Sequence, residues 1–318
     1  MDILKDIKVG VLGGGVSSER EISLLSANEA YKALRKNSTE TVFIDITVSQ
    51  NEKVKEIILA SNIDLAFIAL HGEFGEDGKI QKILEELNIP YTGSGSLASY
   101  LAMDKIASKE IFIKNGIPTA GFIVYEHNHS IKELASNLKY PLVVKPFFSG
   151  SSVGVSIVRN KIELERALKN ALLLQPKIII EDYIEGREFT VGILEDKPLA
   201  VVEIVLKSEY FDFTTKYSDG LAEFIAPAKL DKTIYKKIQD IALAAHCALG
   251  CKHFSRVDIR LGSDCVPYVL EVNSIPGLTT HSLLPLCAKC CGIDFDELII
   301  RMAQLALDGK NFTKIRKN

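Results

Sequence analysis

Long hydrophobic runs are missing from this chain of 318 residues: none approaches the roughly 18 apolar positions that a membrane-crossing helix requires. The opening Met1-Asp2-Ile3-Leu4-Lys5-Asp6 also lacks the basic segment and hydrophobic stretch that mark export, so a cytoplasmic location away from any membrane is expected. A dominant charge is missing too. With 38 basic and 41 acidic residues the net charge is −3, which favours neither nucleic acid nor an anionic surface and leaves small molecules as the expected partners. The six cysteines, at 247, 251, 265, 287, 290 and 291, have no even spacing and predict free thiols rather than a disulfide framework. Cys287, Cys290 and Cys291 lack a second Cys or His pair to close a tetrahedral metal shell, and their i, i+3, i+4 spacing is one packed face of a helix. Two phosphate-binding signatures are absent as well. Gly13-Gly14-Gly15 misses the G-x-G-x-x-G spacing because Ser18 stands where the third glycine belongs, and no Gly-Lys-Ser/Thr opens a helix as a Walker A loop would.

What is present suffices for two or three cored domains, since 47% of the residues are apolar. Residues 1–93 are expected to form a doubly wound parallel-sheet domain, because apolar runs at 7–12, 41–46 and 65–70 alternate with helical patterns reaching Leu34 and spanning 54–60. Ligand chemistry in such folds gathers at the carboxyl ends of the strands. Ser18 with Glu21 predicts a capping box that leaves Glu19 in the first helical turn, where an acid either serves the helix dipole or receives a substrate ammonium. His71 follows the third strand. Turn-rich 89–95 closes this domain, and residues 94–183 are expected to form the next: a helix over 97–114 bearing Lys105, a strand at 121–125, a helix over 131–138, and the small-residue loop 147–154 between two further strands. Glycine and serine there admit a phosphate to the backbone amides, and Lys105 and Lys145 would neutralise its charge. The last domain, 184–318, should carry a hairpin at 189–206 and a long loop over 207–229. A helix with Ile234, Ile238, Ile241 and Ala245 at helical period follows, then a final helix at 295–307 and a basic tail expected to fray.

The densest chemistry lies in 254–285. Val257, Ile259 and Leu261 alternate with Arg256, Asp258 and Arg260, the period of a half-buried strand, and 268–273 reads as its partner across the turn residues Gly262-Ser263-Asp264-Cys265. Such a hairpin holds Asp258 and Glu271 side by side, with Asn273 on the face of Glu271. Two adjacent carboxylates repel unless one takes a proton or a divalent cation lies between them. Asp, Glu and Asn are hard oxygen donors of the kind that hold Mg²⁺ against substrate phosphates; a solvated sheet face is the plainer alternative.

The order Arg256-x-Asp258, Glu271-x-Asn273, Pro276-Gly277 and Thr279-Thr280-His281-Ser282-Leu283 resembles the carboxy-terminal signature of the D-alanine:D-alanine ligases, members of the ATP-grasp superfamily. The likeness extends in order along the chain, through Ser17-Ser18-Glu19-Arg20-Glu21, the Leu-His-Gly-x-x-Gly-Glu-Asp-Gly segment at 70–78, Gly150-Ser151-Ser152-Val153-Gly154 and Lys216-Tyr217. It implies an α/β (α+β) chain in which an ATP-grasp fold follows the doubly wound domain. It also implies ATP-dependent joining of two D-alanines through an acyl phosphate, for peptidoglycan, by a homodimer. Asp258, Glu271 and Asn273 would then bind two Mg²⁺, or Mn²⁺. Arg256 and the Gly277 amide would stabilise the oxyanion, and Ser282 and Leu283 would receive the carboxylate of the second substrate. Glu19 would bind the amine of the first, with His71 beside it and the transferred phosphate. For the nucleotide the resemblance implies Lys105, Lys145, Ser152 and Lys216 on the phosphates, Glu181, Tyr183 and Ile184 at the adenine, and Glu188 at the ribose. Tyr217 bonded to Ser151 would close the loop, and its presence favours an amine as second nucleophile. Many ligases carry a charged residue where Phe148 or Ser149 stands here. A ligase joining D-alanine to another D-amino or hydroxy acid, or a catalytically silent nucleotide-binding protein, are the alternatives.

Overall fold

The computed structural model describes residues 4–36, 40–126, 138–150, 153–206 and 222–307. The first sheet is parallel, in the order β2-β1-β3, from β1 (Val9–Gly14), β2 (Thr41–Ile46) and β3 (Leu65–Ile68). Every residue of β1 and β3 is buried, which requires cover on both faces. Val9, Val11, Leu65 and Phe67 pack toward Ala27, Ala30 and Leu34 of α1 (Arg20–Lys36). Leu12, Ala66 and Ile68 face the other way, against Val54 and Ile58 of α2 (Asn51–Ala60) and Ile80 and Ile83 of α3 (Lys79–Glu86). This is the doubly wound layer that the alternating pattern predicts.

Two antiparallel sheets follow. β4 (Phe122–Glu126), β5 (Leu142–Pro146), β6 (Ser156–Val158) and β7 (Lys177–Asp182) lie in the order β4-β7-β5-β6. Their apolar face is closed by Leu164, Leu168 and Ala171 of α6 (Lys161–Leu172). The third sheet runs β10-β9-β8-β11-β12, from β8 (Gly186–Leu194), β9 (Lys197–Leu206), β10 (Ala222–Ile225), β11 (Phe254–Gly262) and β12 (Pro267–Asn273). Val191, Val257, Ile259 and Val269 on one of its faces pack against Ile238, Ala242 and Ala245 of α7 (Lys232–Ala248). Ala98 and Ala102 of α4 (Ser96–Met103) and Phe112 of α5 (Lys105–Lys114) join that core, so these helices rest on the third sheet. The opposite face is divided. Where Gly192 leaves room, Leu284 and Cys287 of α8 (Leu283–Cys290) pack in, and with Leu298 and Met302 of α9 (Phe295–Leu305) they reach the core under α1. Further along, the same face turns polar and lines a cleft.

Several local expectations need correcting. The helix expected over 97–114 is two helices, because the carboxylate of Asp104 accepts from the amides of Ile106 and Ala107 and starts a new one at Lys105. Ser17, not Ser18, receives an amide at the start of α1: Glu19 N–H donates to its Oγ at 3.2 Å. Glu19 therefore sits just before the helix instead of inside its first turn. The expected loop over 207–229 contains a strand, since 222–225 pairs with β9; pairing, not periodicity, makes that element. The rest of that loop through 221, nearly all of the helix expected at 131–138, and the tail from 308 lie outside the described residues.

Candidate active site

Register assembles the site. Across β11 and β12, Arg256 stands opposite Asn273 and Asp258 opposite Glu271, while β8 sets Thr190 opposite Asp258 and Glu188 opposite Arg260. Residues facing each other across antiparallel strands share a side of the sheet, so these seven point into one cleft. Asp258 is buried and heavily bonded. Arg256 donates to it from Nε (2.9 Å) and Nη2 (2.7 Å), Thr190 from its hydroxyl (2.6 Å) and Asn273 from its amide (3.2 Å). Glu271 has Lys105 Nζ at 3.3 Å. The repulsion expected between the two acids is thus offset here by a guanidinium and an ammonium. Two carboxylates and an amide on one face are a suitable hard-oxygen set for Mg²⁺. Among the described residues no group of three Asp, Glu, His or Cys is gathered into a cage, so an ion held there would complete its shell with phosphate oxygens or water.

From this cluster an open cleft of about 890 Å³, counting solvent at its mouth, runs between the second and third sheets. The expected nucleotide residues Lys105, Lys145, Glu181, Tyr183, Ile184 and Glu188 all line it, with Asp258 and Glu271 at its inner end. Glu181 is clamped at 2.7 Å by Lys145 Nζ and at 2.9 Å by Lys109 Nζ, the latter also donating to Thr119 Oγ1 and the Ala120 carbonyl. Burial pushes the Glu181 carboxyl up, but the ammonium groups of Lys145 and Lys109 outweigh it and hold the group below the usual carboxylate range. Tyr183, expected against a base, lines the cleft and lies under Arg260, whose guanidinium is 5.0 Å from the ring centre and 3.0 Å from the phenol oxygen. Arg260 also reaches Glu188 at 3.3 Å.

The other end is a smaller recess of about 400 Å³, bounded by Glu19, His71, Glu76, Gly150, Arg256, Asn273 and Gly277. Glu19 is held by Ser17, whose hydroxyl also donates to the His71 carbonyl (2.9 Å). Gly72, at φ +70°, turns the chain so that its carbonyl accepts from the amides of Gly75 and Glu76, aiming the Glu76 side chain back at His71 Nδ1, 3.4 Å away. Burial pushes the Glu76 carboxyl up; the His71 bond opposes it and the charge of Glu19 adds to it. Ser282 precedes α8, its hydroxyl bonded to the amide (3.1 Å) and hydroxyl (2.8 Å) of Thr279, while Leu283 is buried in the core. The loop before it is tied to α1, where Leu278 N–H donates to Ser26 Oγ at 3.2 Å and Thr280 N–H to Glu29 at 2.6 Å.

The glycine-rich loop spans the two ends. A Cβ on Gly150 would lie 2.9 Å from Glu19 Oε1, so the loop approaches that carboxylate closely and a side chain there would make it shift. Lys105 supports the loop by donating to the Ser149 carbonyl at 2.6 Å. Phe148, one of the departures from the ligase pattern, is held by a different device. Its amide donates to Gln175 Oε1 at 2.9 Å, its carbonyl accepts from Gln175 Nε2, and its ring tilts on Tyr100 and Phe147. Ser151, Ser152, Lys216 and Tyr217 lie outside the described residues. Glu76, Lys109, Thr190 and Ser26 were not singled out from sequence; Glu76 stood inside the 70–78 segment, and the others carry no motif of their own. All six cysteines are free, with burial pushing Cys287 up to about 12 and Cys251 up to about 11. No helix among the described residues is long and apolar enough to cross a membrane.

Comparison with known proteins gives a consistent result. Residues 111–304 match the family described as D-ala D-ala ligase C-terminus, and residues 47–94 the one described as D-ala D-ala ligase N-terminus. The chain is 46% identical over 303 residues to a D-alanine–D-alanine ligase of Citrifermentans bemidjiense, covering 95% of this chain and 97% of that one. It is 44% identical over 306 residues to one of Geotalea uraniireducens, covering 96% and 97%. Its fold superposes on the D-alanine–D-alanine ligase of Bacillus anthracis complexed with ATP with a TM-score of 0.83, at 38% identity over 95% of this chain and 97% of that one. The VanG D-Ala:D-Ser ligase of Enterococcus faecalis gives 0.82, at 30% identity over 94% and 99%.

Proposed function

The chain belongs to the D-alanine–D-alanine ligase family, with the ATP-grasp architecture of that family, and from that premise we propose how its cleft divides the work of joining two D-alanines at the expense of ATP. The observation that carries the assignment of roles is the continuity of the cleft. Glu271 borders both ends, and between them lies a small recess lined by Lys105, Gly150 and Glu271, so a phosphoryl group lying over Lys105 is within reach of a carboxylate held beside Arg256.

The nucleotide lies between the second and third sheets, its base at Glu181, Tyr183 and Ile184, its ribose at Glu188 and its phosphates at Lys105 and Lys145, with Ser152 and Lys216 completing the grip. Asp258, Glu271 and Asn273 hold Mg²⁺, two ions in the full proposal, which when bound spread the charge of the transferring phosphoryl group. Glu19 receives the ammonium of the first D-alanine, turning its carboxylate toward the phosphates. That carboxylate oxygen attacks the γ-phosphorus, the bond to the β-phosphate oxygen breaks, and ADP leaves an acyl phosphate behind. The reaction needs positioning and charge compensation more than covalent help from the protein. The second D-alanine, its carboxylate at the Ser282 and Leu283 start of α8, attacks the acyl carbon through its amine. Arg256, released from Asp258, and the Gly277 amide take the developing oxyanion, and phosphate departs. Tyr217 with Ser151 receives the amine proton. Water is excluded by the loop through Gly150, which protects an intermediate that would otherwise hydrolyse.

Phosphate release measured with D-alanine against L-alanine, with the product weighed, tests this function. D-alanine-dependent release yielding a dipeptide mass is expected; release indifferent to the amino acid would refute it. The likeness to a D-Ala:D-Ser ligase makes D-alanyl-D-serine the second reading, which competition between D-alanine, D-serine and D-lactate as acceptors separates. We also propose a cytoplasmic homodimer, to be checked by sedimentation.

A further inference from the structure

Behind His71 lies a fully buried serine that the reaction steps above leave unused. Ser26 is on the face of α1 that also carries Ser23 and Glu29, at intervals of three, all turned to neighbouring loops. Its Oγ lies 2.8 Å from His71 Nε2 and 3.2 Å from the backbone nitrogen of Leu278. The two contacts are chemically unequal. An amide N–H only donates, so Leu278 uses a lone pair of the serine oxygen and leaves the hydroxyl hydrogen to be placed elsewhere. A buried hydroxyl hydrogen without an acceptor is costly, and among the described contacts the acceptor in reach is the imidazole nitrogen. Nε2 is then bare, and the ring proton sits on Nδ1, whose nearest carboxylate oxygen in these contacts is Glu76 Oε1, 3.4 Å away.

We propose that Ser26 is a positioning residue that fixes His71 as its Nδ1–H tautomer and, through the same oxygen, pins the Leu278 amide beside Gly277. One hydroxyl then sets both which nitrogen of the histidine donates and where the oxyanion-binding backbone lies. Glu76, His71, Ser26 and Leu278 form a continuous run of contacts linking the first-substrate recess to the loop that precedes α8. A consequence follows for the chemistry. With Nε2 engaged by the serine hydroxyl, His71 has no free lone pair with which to take a proton from either substrate. It acts as a donor through Nδ1. The catalytic part of this inference rests on the function proposed above; the tautomer does not.

The test begins on the unmodified, ligand-free enzyme labelled with ¹⁵N-histidine. Long-range ¹H–¹⁵N correlation, with the His71 signals identified by their loss in His71→Gln, is expected to show a protonated Nδ1 and a bare Nε2. The opposite pattern would overturn the proposal without reference to activity. In Ser26→Ala the tautomer preference should be lost and kcat should fall about tenfold, as for one hydrogen bond removed, with little change in the KM for ATP. Ser26→Thr, which keeps the hydroxyl, should restore the wild-type ring pattern. An alanine variant that keeps both the Nδ1–H signature and full kcat would refute the inference. Wild-type enzyme with the expected tautomer but no dipeptide product would instead refute the proposed function alone.

Discussion

Two carboxylates mark the two ends of the cleft, and their surroundings push them in opposite directions. Glu181, at the nucleotide end, has an ammonium on each oxygen and is held ionised despite its burial. Glu76, at the other end, meets an imidazole and the field of Glu19, and its carboxyl is pushed up. Glu181 is thus fixed between two ammonium groups with no ligand present. At the other end Glu19 and Glu76 repel each other, and in the proposed reaction the ammonium of an amino acid would offset that repulsion.

Breaking the Glu181 cluster should have the largest effect. Lys109→Met leaves Glu181 with Lys145 alone in a buried setting, and removing one partner of such a cluster costs about 3 kcal/mol. The urea midpoint should drop accordingly. The sign of the pH effect follows from the depressed Glu181 value: its contribution is full above the usual carboxylate pKa and is lost as pH falls through the lowered one, so acid unfolding should begin at higher pH in the variant. An unchanged midpoint would mean that the cluster is not what holds this end together. At the substrate end, Glu19→Gln removes the ammonium's partner. The KM for the first D-alanine should rise about tenfold to a hundredfold, the size of a lost charged hydrogen bond, while the urea midpoint stays where it is. A variant that unfolds early but binds substrate normally would reverse the comparison.

The contrast also shows what the sequence could and could not convey. Period-2 alternation at 256–261 and the turn at 262–265 were enough to place Asp258 beside Glu271, because strand register follows directly from side-chain alternation. The parallel layer was legible for a similar reason: runs of apolar residues have no exposed face. Lys109 was not, since a lysine in a helix reads as solvated unless its partner across the fold is known, and Glu181 is 72 residues away. Glu76 needed a backbone turn at Gly72 and a left-handed Phe74, neither of which periodicity encodes. Nor does composition reveal that Arg256 lies on Asp258: an arginine two residues from an aspartate on one strand face is a pair only when the cleft is dry enough to favour it.

The smallest expected effect is the one that most sharpens the comparison, because it runs against the usual direction of active-site damage. If Glu76 is destabilised by its surroundings, Glu76→Gln should make the protein more stable at pH 8. A carboxyl raised in the folded state binds protons there that the unfolded chain does not, so its cost is full above the raised value and vanishes as pH falls toward the ordinary one near 4.5. The gain of the variant should therefore shrink between pH 8 and about pH 4.5, a trend that thermal unfolding at the two values reads directly. Glutamine keeps an oxygen for the Nδ1–H of His71, so loss of that bond cannot mask the gain. Ligation by the variant should nevertheless slow, since the recess has lost part of the negative charge that draws the ammonium in. A variant that gains nothing at pH 8 would show that Glu76 bears no cost in the folded protein and that the two ends do not differ in this respect.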